Sequence, residues 1–136
     1  MGAWGIGIFE NDTACDFAAD VADGGGVPLV EQALDRISLC GEDYLEAPDA
    51  EEGLAAAEIV ARLNGSPGDK TSYTARIDRW IEGSQTSVAP EVIEKAKRAI
   101  VRVLSEPSEL LELWTPSDDF DDWKRGVERL LDRLQH

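Results

Sequence analysis

Along most of the chain, apolar positions recur at the helical period, and no stretch alternates as a strand does. Between Asp12 and Ala22, Ala14, Phe17, Ala18 and Val21 share one face, with Asp12, Asp16 and Asp20 opposite. Asn11 or Asp12 offers an N-cap oxygen, and Gly24, Gly25 and Gly26 predict the stop. Pro28 opens a second amphipathic helix that carries Leu29, Val30, Ala33, Leu34 and Ile37 on its apolar face and ends near Gly41. A third starts at PDAEE, where Asp49 and Glu52 have capping-box spacing. From Gly53 to Leu63 it is apolar almost all round. Glu51, Glu58 and Arg62 form its narrow polar strip, which predicts a helix in the middle of the domain. Glu58 and Arg62 stand at i,i+4 in the favourable order and are expected to pair internally.

The remaining pattern predicts four further helical segments. One carries Tyr73, Ile77 and Trp80 or Ile81. The next opens at Pro90, with Val92, Ile93, Ala96, Ala99, Ile100, Val103 and Leu104 inward and Lys95, Arg98 and Arg102 outward. SELLELW makes a short turn of helix, and the last helix begins near Ser117 with Phe120, Trp123, Val127, Leu130, Leu131 and Leu134 inward. The expected fold is all-α: a compact single-domain bundle of six to seven short helices around the alanine-rich one, spanning residues 1–136.

The opening stretch, MGAWGIGIFEND, has too many glycines for a helix. A phosphate-binding loop fails on context, since no strand precedes it, no Lys follows, and Glu10, Asp12 and Asp16 crowd the helix start. The glycines fit a tightly wound N-terminal clasp instead, with Trp4, Ile6 or Ile8, and Phe9 dropping into the core, Phe9 in the manner of a hydrophobic staple. Trp80, Trp114 and Trp123 fall at core-compatible positions, one of them free to line a groove.

Charge adds what periodicity lacks. The net charge is −15 and lopsided: residues 1–61 hold 14 acids and one base, Arg36, for a net −13, while residues 62–136 hold 14 acids and 12 bases. Such a field repels nucleic acid and anionic lipid and favours basic partners. Asp12, Asp16 and Asp20 repeat at i,i+4, as do Glu31 and Asp35, and like charges at that spacing destabilise a helix. Asp20 and Asp23 also stand at a helix end where the dipole prefers cations. These six acids are the candidate partner-binding face. With no apolar run long enough to span a bilayer, no secretory signal, and Ile6 where a myristoylation signal wants Ser or Thr, the expected location is the cytoplasm.

Catalytic constellations are thin. The sole histidine is His136, and Cys15 and Cys40 lack metal or redox spacing, so both thiols are expected as buried small hydrophobes. Convergence of Glu46, Asp49, Glu58 and Asp12 on a divalent metal is the enzymatic alternative, although an ExxH motif is missing. Asp118, Asp119, Asp121 and Asp122 lack the glycine and spacing of a calcium loop. No catalytic, cofactor-binding or metal-binding residue is assigned, and no cofactor is expected.

GAWGIGIFEND, YLEAPDAEEGLAAAEIVARLNG, SELLELW and the later DDW together resemble a bacterial family known only as domain of unknown function 4259. That family usually has Phe-Asp-Asn-Asp where this chain has Phe9-Glu10-Asn11-Asp12, and it shares Leu45-Glu46-Ala47-Pro48. The resemblance implies one compact cytosolic domain and no transferable activity. The leading reading is a non-catalytic acidic domain that binds a basic protein, in an immunity- or antitoxin-like manner. A carboxylate–metal enzyme and a homo-oligomeric structural subunit are the alternatives.

Overall fold

The computed structural model describes residues 5–84 and 87–135. Trp4 and His136 lie outside them. Helix α1 (Asp12–Asp20) runs through a π-turn (Val21–Gly25) into α2 (Gly26–Cys40). Then follow α3 (Ala47–Leu63), α4 (Ala75–Glu82), α5 (Pro90–Val103), α6 (Glu109–Trp114) and α7 (Phe120–Leu134). Among the described residues there is no strand, only an isolated bridge between Leu45 and Ser108. The fold is all-α.

Helix α3 touches all six other helices. Every residue from Gly53 to Arg62 is buried, as the absence of a broad polar face requires. Its small side chains let neighbours approach closely. A Cβ on Gly53 would overlap Ile37 Cδ1 of α2, so glycine sets the α2–α3 distance.

Glycine also makes the break between α1 and α2. Gly24 and Gly26 adopt φ of 144° and 59°, a region L side chains avoid, so the chain leaves helical geometry there and kinks between the two helices. Asn11, not Asp12, caps α1: its Oδ1 accepts from the Ala14 amide at 2.8 Å. Phe9 is a core residue. The Cys15 thiol donates to the Phe9 carbonyl at 2.9 Å, tying the backbone before the helix to its first turn.

The start of α3 differs from the expected capping box. Helix α3 begins at Ala47, before Asp49, and the Ala47 amide donates to the Glu109 carboxylate of α6 at 2.7 Å. Backbone bonds from Leu45 N to Pro107 O and from Glu109 N to Leu45 O hold the two segments in place. Arg102, expected to point outward, turns its guanidinium onto the carbonyls of Gly41, Asp43, Ser105 and Pro107. A planar fork of donors suits that convergence.

Candidate functional site

The glycine loop is wound around a carboxylate of its own. Gly7 N donates to Glu10 Oε1 at 2.8 Å, and Glu10 N donates to Gly7 O at 3.0 Å. A Cβ on Gly5 or Gly7 would come within 2.6 Å of the Glu10 carboxyl group, so a side chain at either position would displace that carboxylate from the loop. Ile6 is 40% exposed and Ile8 half-buried, leaving Phe9 as the fully engaged side chain of the described clasp.

Beneath this loop is a cavity of about 20 Å³, lined by Asn11, Glu51, Leu54 and the stacked pair Trp114 and Trp123. It is large enough for one water-sized group. Trp123 is buried, whereas Trp114 and Trp80 are half-buried, and both Trp114 and Trp123 line the hollow. Burial pushes the Glu51 carboxyl above its usual range, with Glu109 adding to the rise and a bond to Thr13 opposing it.

The six candidate acids divide into two groups. Asp12, Asp16 and Asp20 are exposed and carry no ion pair among the described residues. The others have found cations within the chain. Asp23 accepts both bonds of an Arg76 contact at 2.7 and 2.8 Å. Asp35 pairs with Lys95 at 2.9 Å, and Glu31 stands 3.9 Å from the same ammonium. Their attraction holds the Lys95 pKa above its ordinary value, the Asp35 hydrogen bond being the main cause. Of the six candidates, the three that stay open therefore share one face of α1.

Glu58 and Arg62 do pair internally, and they belong to a larger network. Arg62 Nε lies 3.0 Å from Glu58 Oε2, without the alignment of a hydrogen bond. Its terminal nitrogens donate to Asp78 and to the Asp69 carbonyl. Arg133 of α7 grips both oxygens of Glu58 and also donates to Ser66 O. Gly68 N donates to Glu58 at 3.2 Å. Two acids and two bases thus hold the irregular connection between α3 and α4, whose backbone supplies several of their partners.

Among the described residues, no three His, Cys, Asp or Glu side chains gather as a metal-ligand set. Glu46, Asp49, Glu58 and Asp12 do not converge, and Glu58 is committed to two arginines. Both cysteines are free and half-buried rather than fully buried, since each thiol reaches a carbonyl at a helix end. Burial, then Asp16 and Asp12, raise the Cys15 pKa, which disfavours the nucleophilic thiolate. No helix among the described residues is long and apolar enough to cross a membrane.

Comparison with known proteins agrees with the resemblance drawn from the motifs. The family described as domain of unknown function (DUF4259) matches residues 2–126. The chain belongs to this family. No curated protein and no solved structure matches it. The DUF4259 match takes in the glycine loop, the acidic face of α1, Glu58, Arg62 and Asp78, and stops before Arg133. Sequence pattern alone missed Arg133, Asp78, Glu109 and Arg102 as organising residues. Each acts across a long chain separation, and only the position of Arg133 between the inward Leu130 and Leu134 hinted at a role.

Proposed function

We propose that this DUF4259 domain is a non-catalytic, acidic protein-binding domain of the cytoplasm, whose contact surface for a basic partner is the Asp12–Asp16–Asp20 face of α1. The observation that carries the reading is the division among the acids. Among the described residues, the chain supplies cations for Asp23, Glu31 and Asp35 but none for the α1 stripe, where like charges sit at the unfavourable i,i+4 spacing. A partner offering Arg or Lys side chains at matching intervals relieves that repulsion and completes the pairing. Charge steering makes such association fast and steeply salt-dependent. The concrete form is immunity- or antitoxin-like: a small acidic domain masking a basic toxin or nuclease, without contact to nucleic acid or membrane.

The test replaces Asp12, Asp16 and Asp20 by Asn. Partner capture from the source-cell lysate is compared with wild type at low and high salt, alongside thermal unfolding. The proposal expects a variant at least as stable as wild type that loses a salt-sensitive basic partner. A variant that keeps every partner, or a wild type that captures none at low salt, refutes it.

A further inference from the structure

One face of the molecule reverses its prevailing charge. Between α5 and α7 runs an open groove of about 380 Å³ whose lining, among the described residues, includes Lys97, Arg98 and Arg102 and no Asp or Glu. Acids outnumber bases 28 to 13 in this chain, so a purely cationic rim stands apart from the rest. Arg98 is exposed and has no ion pair among the described residues. Arg102 donates to neutral carbonyls and has no carboxylate partner among the described residues. Lys97 has one partner, Glu94, at 2.9 Å. The apolar part of the lining is Val101, 52% exposed, and the half-buried Leu131.

Beside this groove stands an apolar side chain with little cover. Leu39, near the end of α2, is 86% exposed. Helices α2 and α5 run side by side in the same direction, for Lys95 meets Asp35 and, further along, Arg102 meets Gly41. That register brings Leu39 level with the turn from Arg98 to Arg102, on the helix that packs beside α5. Glu42 and Asp43, both exposed, follow directly. A knob edged with acids thus lies next to a hollow edged with bases. Two such surfaces related by a two-fold axis complement each other, because each knob then faces the other copy's hollow.

We propose that a second copy of this chain docks here, Leu39 of each entering the groove floored by Val101 and Leu131 of the other, with Glu42 and Asp43 set against Lys97 and Arg98. The net charge of −15 on each copy opposes approach at long range, but screening beyond about 8 Å at physiological salt leaves the local pairing to decide. The groove is separate from the acidic face of α1, so this dimer stands or falls independently of any basic partner.

Sedimentation velocity of the full chain at physiological salt, from about 1 to about 200 μM, covers the range of a modest interface. The expected result is a monomer–dimer equilibrium. Leu39→Asp weakens it at least about tenfold, as loss of a buried leucine contact does, while the thermal midpoint stays put because that side chain is exposed in the monomer. Val101→Asp, on the other side of the contact, gives a second and independent loss. Arg98→Glu and Glu42→Lys each weaken association, and together they restore it. A chain monomeric at every concentration overturns the proposal. A monomer that instead binds an acidic amphipathic helical peptide also overturns it, giving the groove to a foreign partner. So does a dimer indifferent to Leu39→Asp and Arg98→Glu, since its interface then lies elsewhere.

Discussion

Arg62→Leu is the sharpest probe of how the α3–α4–α7 junction is held. The Arg62 side chain is 3% exposed and that of Glu58 5%, so both charges sit out of reach of bulk water. Removing the guanidinium leaves the Asp69 carbonyl without its donor and Asp78 with the Thr74 hydroxyl at 2.8 Å as its remaining partner. Glu58 is spared isolation because Arg133 still grips it. Breaking one partner of a buried ion pair costs about 3–5 kcal/mol, and the surviving fork places this case near the lower end, about 3 kcal/mol. Glu58→Leu should cost less, about 2 kcal/mol on the scale of charged hydrogen bonds, because Asp78 still pairs with Arg62 and Arg133 is 25% exposed and can reach solvent. The double variant should fall short of the sum by about 1–2 kcal/mol, the signature of groups sharing one network. Urea unfolding followed by circular dichroism and tryptophan fluorescence measures all three. For a domain holding about 5–15 kcal/mol the Arg62 loss is large, and it lowers the thermal midpoint by roughly 10 °C. A loss under about 1 kcal/mol for Arg62→Leu, or strict additivity in the double variant, refutes the reasoning.

Other perturbations follow from the same contacts. Gly53→Ala gains about 1 kcal/mol of helix propensity but drives a methyl into Ile37, so overpacking should leave a net loss of about 1–2 kcal/mol in denaturant unfolding. A stabilised variant would mean that the α2–α3 spacing is set elsewhere. Glu109→Ala removes the acceptor for the Ala47 amide and should cost about 1 kcal/mol, as lost helix caps do. Glu51 has its folded pKa raised by burial, so its contribution to stability is fully present below the ordinary carboxylate range and lost as pH rises through the raised value. Glu51→Gln should therefore melt higher than wild type at neutral pH and lose that advantage in acid. An equal gain at both pH values would refute burial as the cause.

The helical periodicity was enough to place α3 at the centre, because a helix lacking a polar face has nowhere else to go. The same holds for the inward rows of α5 and α7, where Val92, Ala96, Ala99, Val103, Trp123, Val127 and Leu130 are all buried. The spacing of Glu58 and Arg62 announced their pair, since i,i+4 is a local relation. What local pattern cannot carry is the partner from afar. Nothing near Glu58 points to Arg133, 75 residues on, and nothing near Asp23 points to Arg76, 53 residues on. The acidic half reads in sequence as one field of like charge. Folding divides it, because α4 and α5 lay Arg76 and Lys95 against Asp23 and Asp35, while Asp12, Asp16 and Asp20 of α1 meet no cation among the described residues.

The convergence at Arg102 bears on how the chain is closed upon itself. That side chain reaches Gly41 and Asp43 across separations of 61 and 59 residues, and Glu109 reaches Ala47 across 62. With the paired backbone of Leu45, Pro107 and Glu109, these contacts lace two distant connections into one seam. The exposed stretch around Asp69–Tyr73 lies between the laced segments, and a protease that cuts it severs no part of the seam. The two resulting pieces, one ending and the other beginning in that loop, remain fastened through the seam and through α3. In topological terms the seam closes the intervening chain into a ring, and a cut in that exposed stretch opens the ring without unlacing the seam.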